Sequence, residues 1–294
     1  MPLHLKIADF QVEVELDEQL MPLPSNYAPF IDGATDTECA VRDTILRMRV
    51  GAEAISLENA EKLSSFDDLG YRQDVYRLAG GGYAFEIYSS EGLLAATMES
   101  TARFEDNRVC LNRADRATME FGFNNTIMIA FAFAAAYHGT LMMHSSVVAK
   151  NGWGYMFLGK SGTGKSTHSS LWLKHLEGYH LLNDDNPVLR VKDGRVIVYG
   201  SPWSGKTPCY RQEKAEVGGL VMLEQKPYNK IRRESVVEAL SSLLCSCSVM
   251  IWDKPSYNEI MRTIEQVITL VGVHHLECLP DEAAARLSQK TIEK

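Results

Sequence analysis

The sequence predicts an α/β core over residues 119–294, preceded by a smaller β-rich module over residues 1–118. Three observations carry this. Short alternating apolar runs separated by glycines dominate up to about residue 118. Near Asn124 the register changes, because NNTIMIAFAFAAAYHG is apolar nearly all round and ends at Gly139, as a buried helix does. Beyond it, apolar strand patterns alternate with helical ones around one glycine-rich stretch, FLGKSGTGKSTHSS, Phe157–Ser170.

Taken in order, HLKIADFQVEVEL alternates in part and reads as a strand. YRLAGGGYAFEIYSSEGLLAATM reads as two strands hinged on three glycines, and RFEDNRVCL has the same character. After the buried helix, LMMHSSVVA and GYMFLG are strands on either side of a turn at Asn151-Gly152. SGTGKSTHSSLWLKHLEG is a helix closed by Gly178, and YHLLNDDNPVLRV is a strand crossing an acidic pair. GRVIVYGSPWSGKT is a strand running into a loop, and GGLVMLEQ is a further strand. VVEALSSLLCSC and SYNEIMRTIEQVITLVG have the spacing of amphipathic helices.

Composition removes several function classes. At 45% hydrophobic and 23% charged, the chain of 294 residues has the balance of a globular protein. The longest apolar run, IMIAFAFAAAYHGTLMM, is interrupted by His138 and Gly139, so no membrane span is expected. The N-terminal stretch is acidic and strand-like, unlike a signal peptide. A net charge of −8 argues against nucleic acid as a partner. Six scattered cysteines make no CxxC pair and read as buried reduced thiols, which fits a cytoplasmic location. A homo-oligomeric assembly is left open.

The glycine-rich stretch carries the chemistry. Gly159-Lys160-Ser161-Gly162-Thr163-Gly164-Lys165-Ser166 fits G-x-x-x-x-G-K-[ST], the Walker A pattern, without a mismatch, and Thr167 follows it. Glycines let successive N–H groups curl inward onto phosphate oxygens, and the helix that starts near Gly164 adds unpaired N–H groups and its positive dipole end. Lys165 is placed to reach the β- and γ-phosphates of ATP, and the Ser166 hydroxyl to ligate Mg²⁺. The ion also needs a carboxylate. The nearest strand that ends in one is HLLNDD, which supplies Asp184 and Asp185. Adjacent acids there can divide the work, one holding metal and one accepting a proton from an attacking hydroxyl.

With these motifs in view, the stretch from Leu141 to Val191 resembles the core of HPr kinase/phosphorylase and its relatives, a branch shared with ATP-dependent phosphoenolpyruvate carboxykinases. A His-bearing strand (His144), the GxSGxGKS loop and a strand ending in Asp-Asp occur in that family's order, and the resemblance spans about residues 122–225. It implies a P-loop kinase core of that type. It also implies that Asp184 is the general base, that Asp185 and Ser166 ligate magnesium, and that His144 lies near the phosphoryl site. Glu216-Val217-Gly218-Gly219-Leu220 echoes a further family stretch, but Gly218 stands where the family has Arg. The part of the pattern tied to the protein substrate HPr is therefore incomplete.

One other segment offers acceptor-side groups. GSPWSGKTPCYR, Gly200 to Arg211, combines a glycine hinge, an exposed-looking Trp203 and two cations, Lys206 and Arg211. These could close over an anionic acceptor. The expectation is an ATP-dependent kinase acting on a hydroxyl of a small protein or small molecule, free serine included. Two rivals stand beside it: a carboxykinase-like lyase, for which no assembled set of Mn²⁺ ligands is visible, and an ATP-binding switch protein without rapid transfer.

Overall fold

The computed structural model describes residues 2–17, 20, 22–32, 44–68, 71–205 and 207–294. The chain is mixed α/β and divides into two units, Met1–Ala135 and Ala136–Lys294. Among the described residues, no helix is long and apolar enough to cross a membrane.

In the first unit, eight strands form one sheet: β1 (Leu3–Ile7), β2 (Phe10–Leu16), β3 (Thr44–Gly51), β4 (Glu61–Asp68), β5 (Tyr71–Arg77), β6 (Tyr83–Tyr88), β7 (Leu94–Ser100) and β8 (Asp106–Leu111). Their order is β1-β2-β3-β8-β7-β6-β5-β4. The expected single strand HLKIADFQVEVEL is a hairpin, β1 paired antiparallel with β2. Its turn uses Ala8 and Asp9, both at positive φ (51° and 62°). No Asn-Gly or Asp-Gly marks that turn, so periodicity alone runs the two strands together.

Helix α1 (Arg116–Ala136) packs on this sheet. Phe121 stacks on Tyr71 of β5 at 5.2 Å, Phe123 meets Tyr27 edge-on at 5.3 Å, and Phe133 lies 5.3 Å from Phe104. The buried helix read from the sequence therefore belongs with the first unit. The division falls at 135/136, later than the 118 boundary expected, because an all-apolar helix goes to whichever face buries it.

The second unit holds β9 (Thr140–Met142), β10 (Ser145–Lys150), β11 (Trp153–Leu158), α2 (Lys165–His175), β12 (His180–Asp185), β13 (Val188–Lys192), β14 (Arg195–Tyr199), β15 (Lys214–Gln225), β16 (Lys230–Arg233), α3 (Val236–Leu244), α4 (Lys254–Leu270), β17 (His274–Cys278) and α5 (Glu282–Ile292). The strands order as β12-β10-β11-β15-β14-β13-β9, with β17 beside both β15 and β16. β11, β15 and β17 run parallel to one another, and the other pairings are antiparallel.

Side-chain alternation along β11 feeds two cores. Met156 and Leu158 enter an aliphatic core with Leu243 of α3 and Ile260, Ile264 and Val267 of α4. Tyr155 and Phe157 enter an aromatic one with Trp172 of α2, Tyr179 and Ile292 of α5. Helices thus cover both faces of this sheet.

The expected single strand YHLLNDDNPVLRV is two strands, β12 and β13, which lie far apart in the strand order. Pro187 separates them, since it has no N–H to give a ladder and holds its own φ. The break leaves Asp184 and Asp185 at the end of β12.

Candidate active site

The glycine loop joins β11 to α2 at the carboxyl ends of the three parallel strands, where open α/β sheets carry their sites. Gly164 caps the helix at φ 107°, a backbone conformation that costs a side-chain-bearing residue energy. Lys165 is the first helical residue and is buried. Its ammonium has three partners: Gly159 O at 3.0 Å, Lys160 O at 3.3 Å and His144 Nε2 at 2.9 Å. Three donors meet three acceptors. Burial pushes the Lys165 pKa down from its ordinary value, against the opposing pull of Asp185 and Asp184. Ser166 and Thr167 are exposed in the first turn of α2.

Strand register brings His144 to this point. Ser145 pairs with Asp185 and Ser146 with Asp184 across β10 and β12, so His144 sits at the end of the acidic pair. Its Nδ1 is 3.1 Å from Asp185 Oδ1, and its backbone N–H donates to Ser246 O at 2.7 Å. With Nε2 accepting from Lys165, the network assigns the ring proton to Nδ1, donated to Asp185. A side chain 42% exposed and bonded on both nitrogens is not a core histidine.

The two acids differ. Asp185 has both oxygens engaged, Oδ1 with His144 and Oδ2 accepting from Asn186 Nδ2 at 2.8 Å. Asp184 is 4% exposed, and its Oδ1 has no hydrogen-bond partner among the described residues. A buried carboxylate oxygen without a partner costs free energy and marks a place where a ligand's hydrogen-bond donor or a cation would be accommodated. Among the described residues, no group of three His, Cys, Asp or Glu side chains is disposed to hold a metal ion.

Ser201 to Gly205, the first part of the expected acceptor segment, packs against this pair. Gly205 N–H donates to Asp184 O at 2.8 Å, and Ser204 bridges Asp185. A Cβ on Gly205 would stand 2.7 Å from Asp184 O, so only glycine allows that approach. Asn183 Nδ2 donates to Ser201 Oγ at 3.2 Å and to Trp203 O at 3.1 Å, tying the segment to β12. Trp203, expected at the surface, is 5% exposed and part of the core. Arg211 is exposed, and its guanidinium sits beside Cys209, whose thiol burial nevertheless pushes up. Lys206 lies outside the described residues.

Several participants carry no local signal in the sequence. Gln225, the last residue of β15, donates to Gly162 O at 3.3 Å and Thr163 O at 3.1 Å and so holds the loop's tip. Ser146 and Ser169 share a buried hydrogen bond of 2.6 Å beneath α2. The one available clue for Gln225 is its place at the carboxyl end of a strand parallel to the loop strand. Of the described cysteines Cys209 is buried, as expected, whereas Cys245 is exposed at the end of α3.

Two clefts flank the loop. One, of about 610 Å³ on the α2 side, is walled by Thr167, Leu171, Leu223, Pro227, Leu279 and Pro280. The other, of about 650 Å³ on the α3 side, lies between the loop and Glu224, His275, Ser241, Ser242 and Ser246.

No family model matches the chain. No curated protein matches it either. Among solved structures the chain is similar to the Hpr(Ser) kinase/phosphatase from Coxiella burnetii over 53% of its own length and 99% of that chain, at 15% identity and a TM-score of 0.30. At that identity and score the overlap carries no residue roles. In Gly218's place, where the resembled family has Arg, a Cβ would stand 2.7 Å from the Tyr155 ring, so this sheet has no room there for a side chain.

Proposed function

We propose that the chain is an ATP-dependent phosphotransferase of the HPr kinase-like type, moving the γ-phosphoryl group to a hydroxyl acceptor. The observation that carries this is one continuous constellation. A complete G-x-x-x-x-G-K-S loop stands between strand and helix, with its lysine joined through His144 to Asp185 and with Asp184 beside it. Loop N–H groups and the start of α2 would receive the phosphates, and the apolar α2-side cleft has a size suited to a nucleoside.

Asp184 would act as the base. The acceptor O–H gives its proton to the carboxylate, the acceptor oxygen bonds to the γ-phosphorus, and the bond to the β,γ-bridging oxygen breaks, releasing ADP. The buried Asp184 Oδ1 supports that role, since it has no hydrogen-bond partner among the described residues and so has acceptor capacity free for the acceptor O–H. Lys165 meets charge on the transferring group, and His144 holds Lys165 and Asp185 in register. The acidic pair fits a magnesium ion, which proteins hold with one or two carboxylates plus substrate oxygens. Asp185 and Ser166 would hold it, and when bound the ion would neutralise charge on the donor's phosphates.

Calorimetry with ATP and Mg²⁺ tests the reading on the wild type and Lys165→Ala. The expected result is nucleotide affinity lowered by about tenfold or more in the variant, about 1.4 kcal/mol, with transfer lost. Equal affinity and equal turnover would overturn it.

A further inference from the structure

The α3-side cleft has a wall that the phosphotransferase reading does not use. Along β15, Leu223 faces the aromatic core, while alternation puts Met222 and Glu224 on the opposite, α3 side. β17 pairs His275 with Met222, which brings its ring to the same side. His275 Nε2 lies 3.0 Å from Glu224 Oε2, and Nδ1 lies 3.2 Å from Glu234 Oε1. Ser242 Oγ donates to that same Glu234 oxygen at 3.0 Å. The Glu234 side chain is only 2% exposed, and its Oε2 has no hydrogen-bond partner among the described residues. A buried carboxylate with spare acceptor capacity thus stands directly behind two cleft-lining residues. Glu224 stands at the front, 44% exposed, and Lys226, which lines the α2-side cleft, meets it at 2.8 Å.

The far wall connects to the proposed chemistry through one backbone contact. Ser246 lines the cleft, and its carbonyl accepts the backbone N–H of His144, whose ring bonds Lys165 and Asp185. A molecule seated between α3 and the loop therefore has the loop on one side and, beyond Ser246 on the other, His144, the residue that precedes β10.

Resting on the phosphotransferase reading, we infer that this cleft is the acceptor pocket and that it selects a small hydroxyl compound carrying an ammonium group. On the phosphotransferase reading the loop's cations, Lys165 and the cleft-lining Lys160, serve the donor's phosphates, and the facing wall offers carboxylates. An acidic acceptor would set like charge against Glu224 and in front of Glu234, whereas a cationic one is attracted by both. A ligand ammonium can take the place of the Lys226 ammonium on Glu224 without uncovering a buried charge, because the Lys226 and Glu224 side chains are both partly exposed. The serine hydroxyls of α3 and the Gln225 amide complete a polar lining suited to the remaining hydroxyl groups.

The test uses the full chain saturated with a non-hydrolysable ATP analogue and Mg²⁺, titrated calorimetrically with three probes on one carbon skeleton. Serinol is the cationic probe, glycerol the neutral one and glycerate the anionic one. Serinol should bind at least about tenfold more tightly than glycerate, and Glu224→Gln should lower serinol affinity about tenfold while leaving nucleotide affinity unchanged. Glycerate binding as well as serinol would overturn the inference. So would serinol affinity unmoved by Glu224→Gln, or no binding of any probe to the nucleotide-loaded chain. Failure of the wild type to bind nucleotide at all would instead overturn the phosphotransferase reading, and this inference with it.

Discussion

The two faces of the second sheet do different jobs with the same strands. On the α2 and α5 face, Tyr155, Phe157, Trp172 and Tyr179 form a ring-on-ring core, with Trp172 4.9 Å from Tyr179 and 5.3 Å from Phe157. The polar groups there are consumed internally. Trp172 Nε1 donates to Ser288 Oγ at 2.9 Å, and His168 Nε2 lies 3.0 Å from the same hydroxyl. On the α3 and α4 face the core is aliphatic, and the polar groups that crown it, Glu224 and His275, line an open cleft, with the buried Glu234 behind His275. The difference teaches that burial of a polar group decides its use. A satisfied, enclosed histidine steadies a helix, whereas charged groups at a cleft are available to ligands.

The comparison breaks most visibly at the acids. Asp184→Asn should lower acceptor-dependent turnover about 10³-fold, about 4 kcal/mol of barrier, with ATP·Mg²⁺ affinity largely kept. Single-turnover transfer assays beside calorimetry check this, and full activity would move the base elsewhere. Asp185→Asn should instead raise the magnesium requirement, read from turnover against metal concentration.

On the aromatic face the expected effect is on stability. Trp172→Ala should cost about 3 kcal/mol or more of unfolding free energy by denaturant titration. Nucleotide affinity of the molecules that remain folded should be near wild type. A stable variant that cannot bind nucleotide would mean the aromatic core is part of the site.

His168 gives the same face a pH signature. Burial lowers its pKa from 6.5 to about 4. Between these values the unfolded chain binds a proton that the folded chain refuses, so stability is full above the unfolded pKa and falls as pH drops toward the folded one. The expected loss is about 2 kcal/mol at pH 5 relative to pH 7. His168→Gln should flatten that slope, and an unchanged slope would assign it to other groups.

The smallest effect belongs to the loop's tether. Gln225→Ala removes two hydrogen bonds to loop carbonyls and should weaken nucleotide binding by about 1 kcal/mol. Amide exchange at Gly162 and Thr163 should rise with it, and unchanged exchange would show that the tether does not hold the loop.

Short-range chemistry was legible in the sequence wherever spacing alone determines geometry. The glycine loop, the strand before it and the helix after it follow from steric freedom and from hydrogen bonds between near neighbours. The Asp-Asp strand could be proposed as the loop's companion because it is the nearest strand that ends in carboxylates, whereas His144 was reached only through the resemblance to a known family. Tertiary structure alone decided what pairs with what. The β10–β12 register put His144 against Asp185, and the parallel β11–β15–β17 ladder carried Gln225 to the loop and His275 to Glu224. It also decided that α1 serves the first sheet and that Trp203 is core. An apolar side chain records in the sequence that it must be buried but not against which surface, because the hydrophobic effect has no direction and long-range partners are chosen by the packing of the whole sheet.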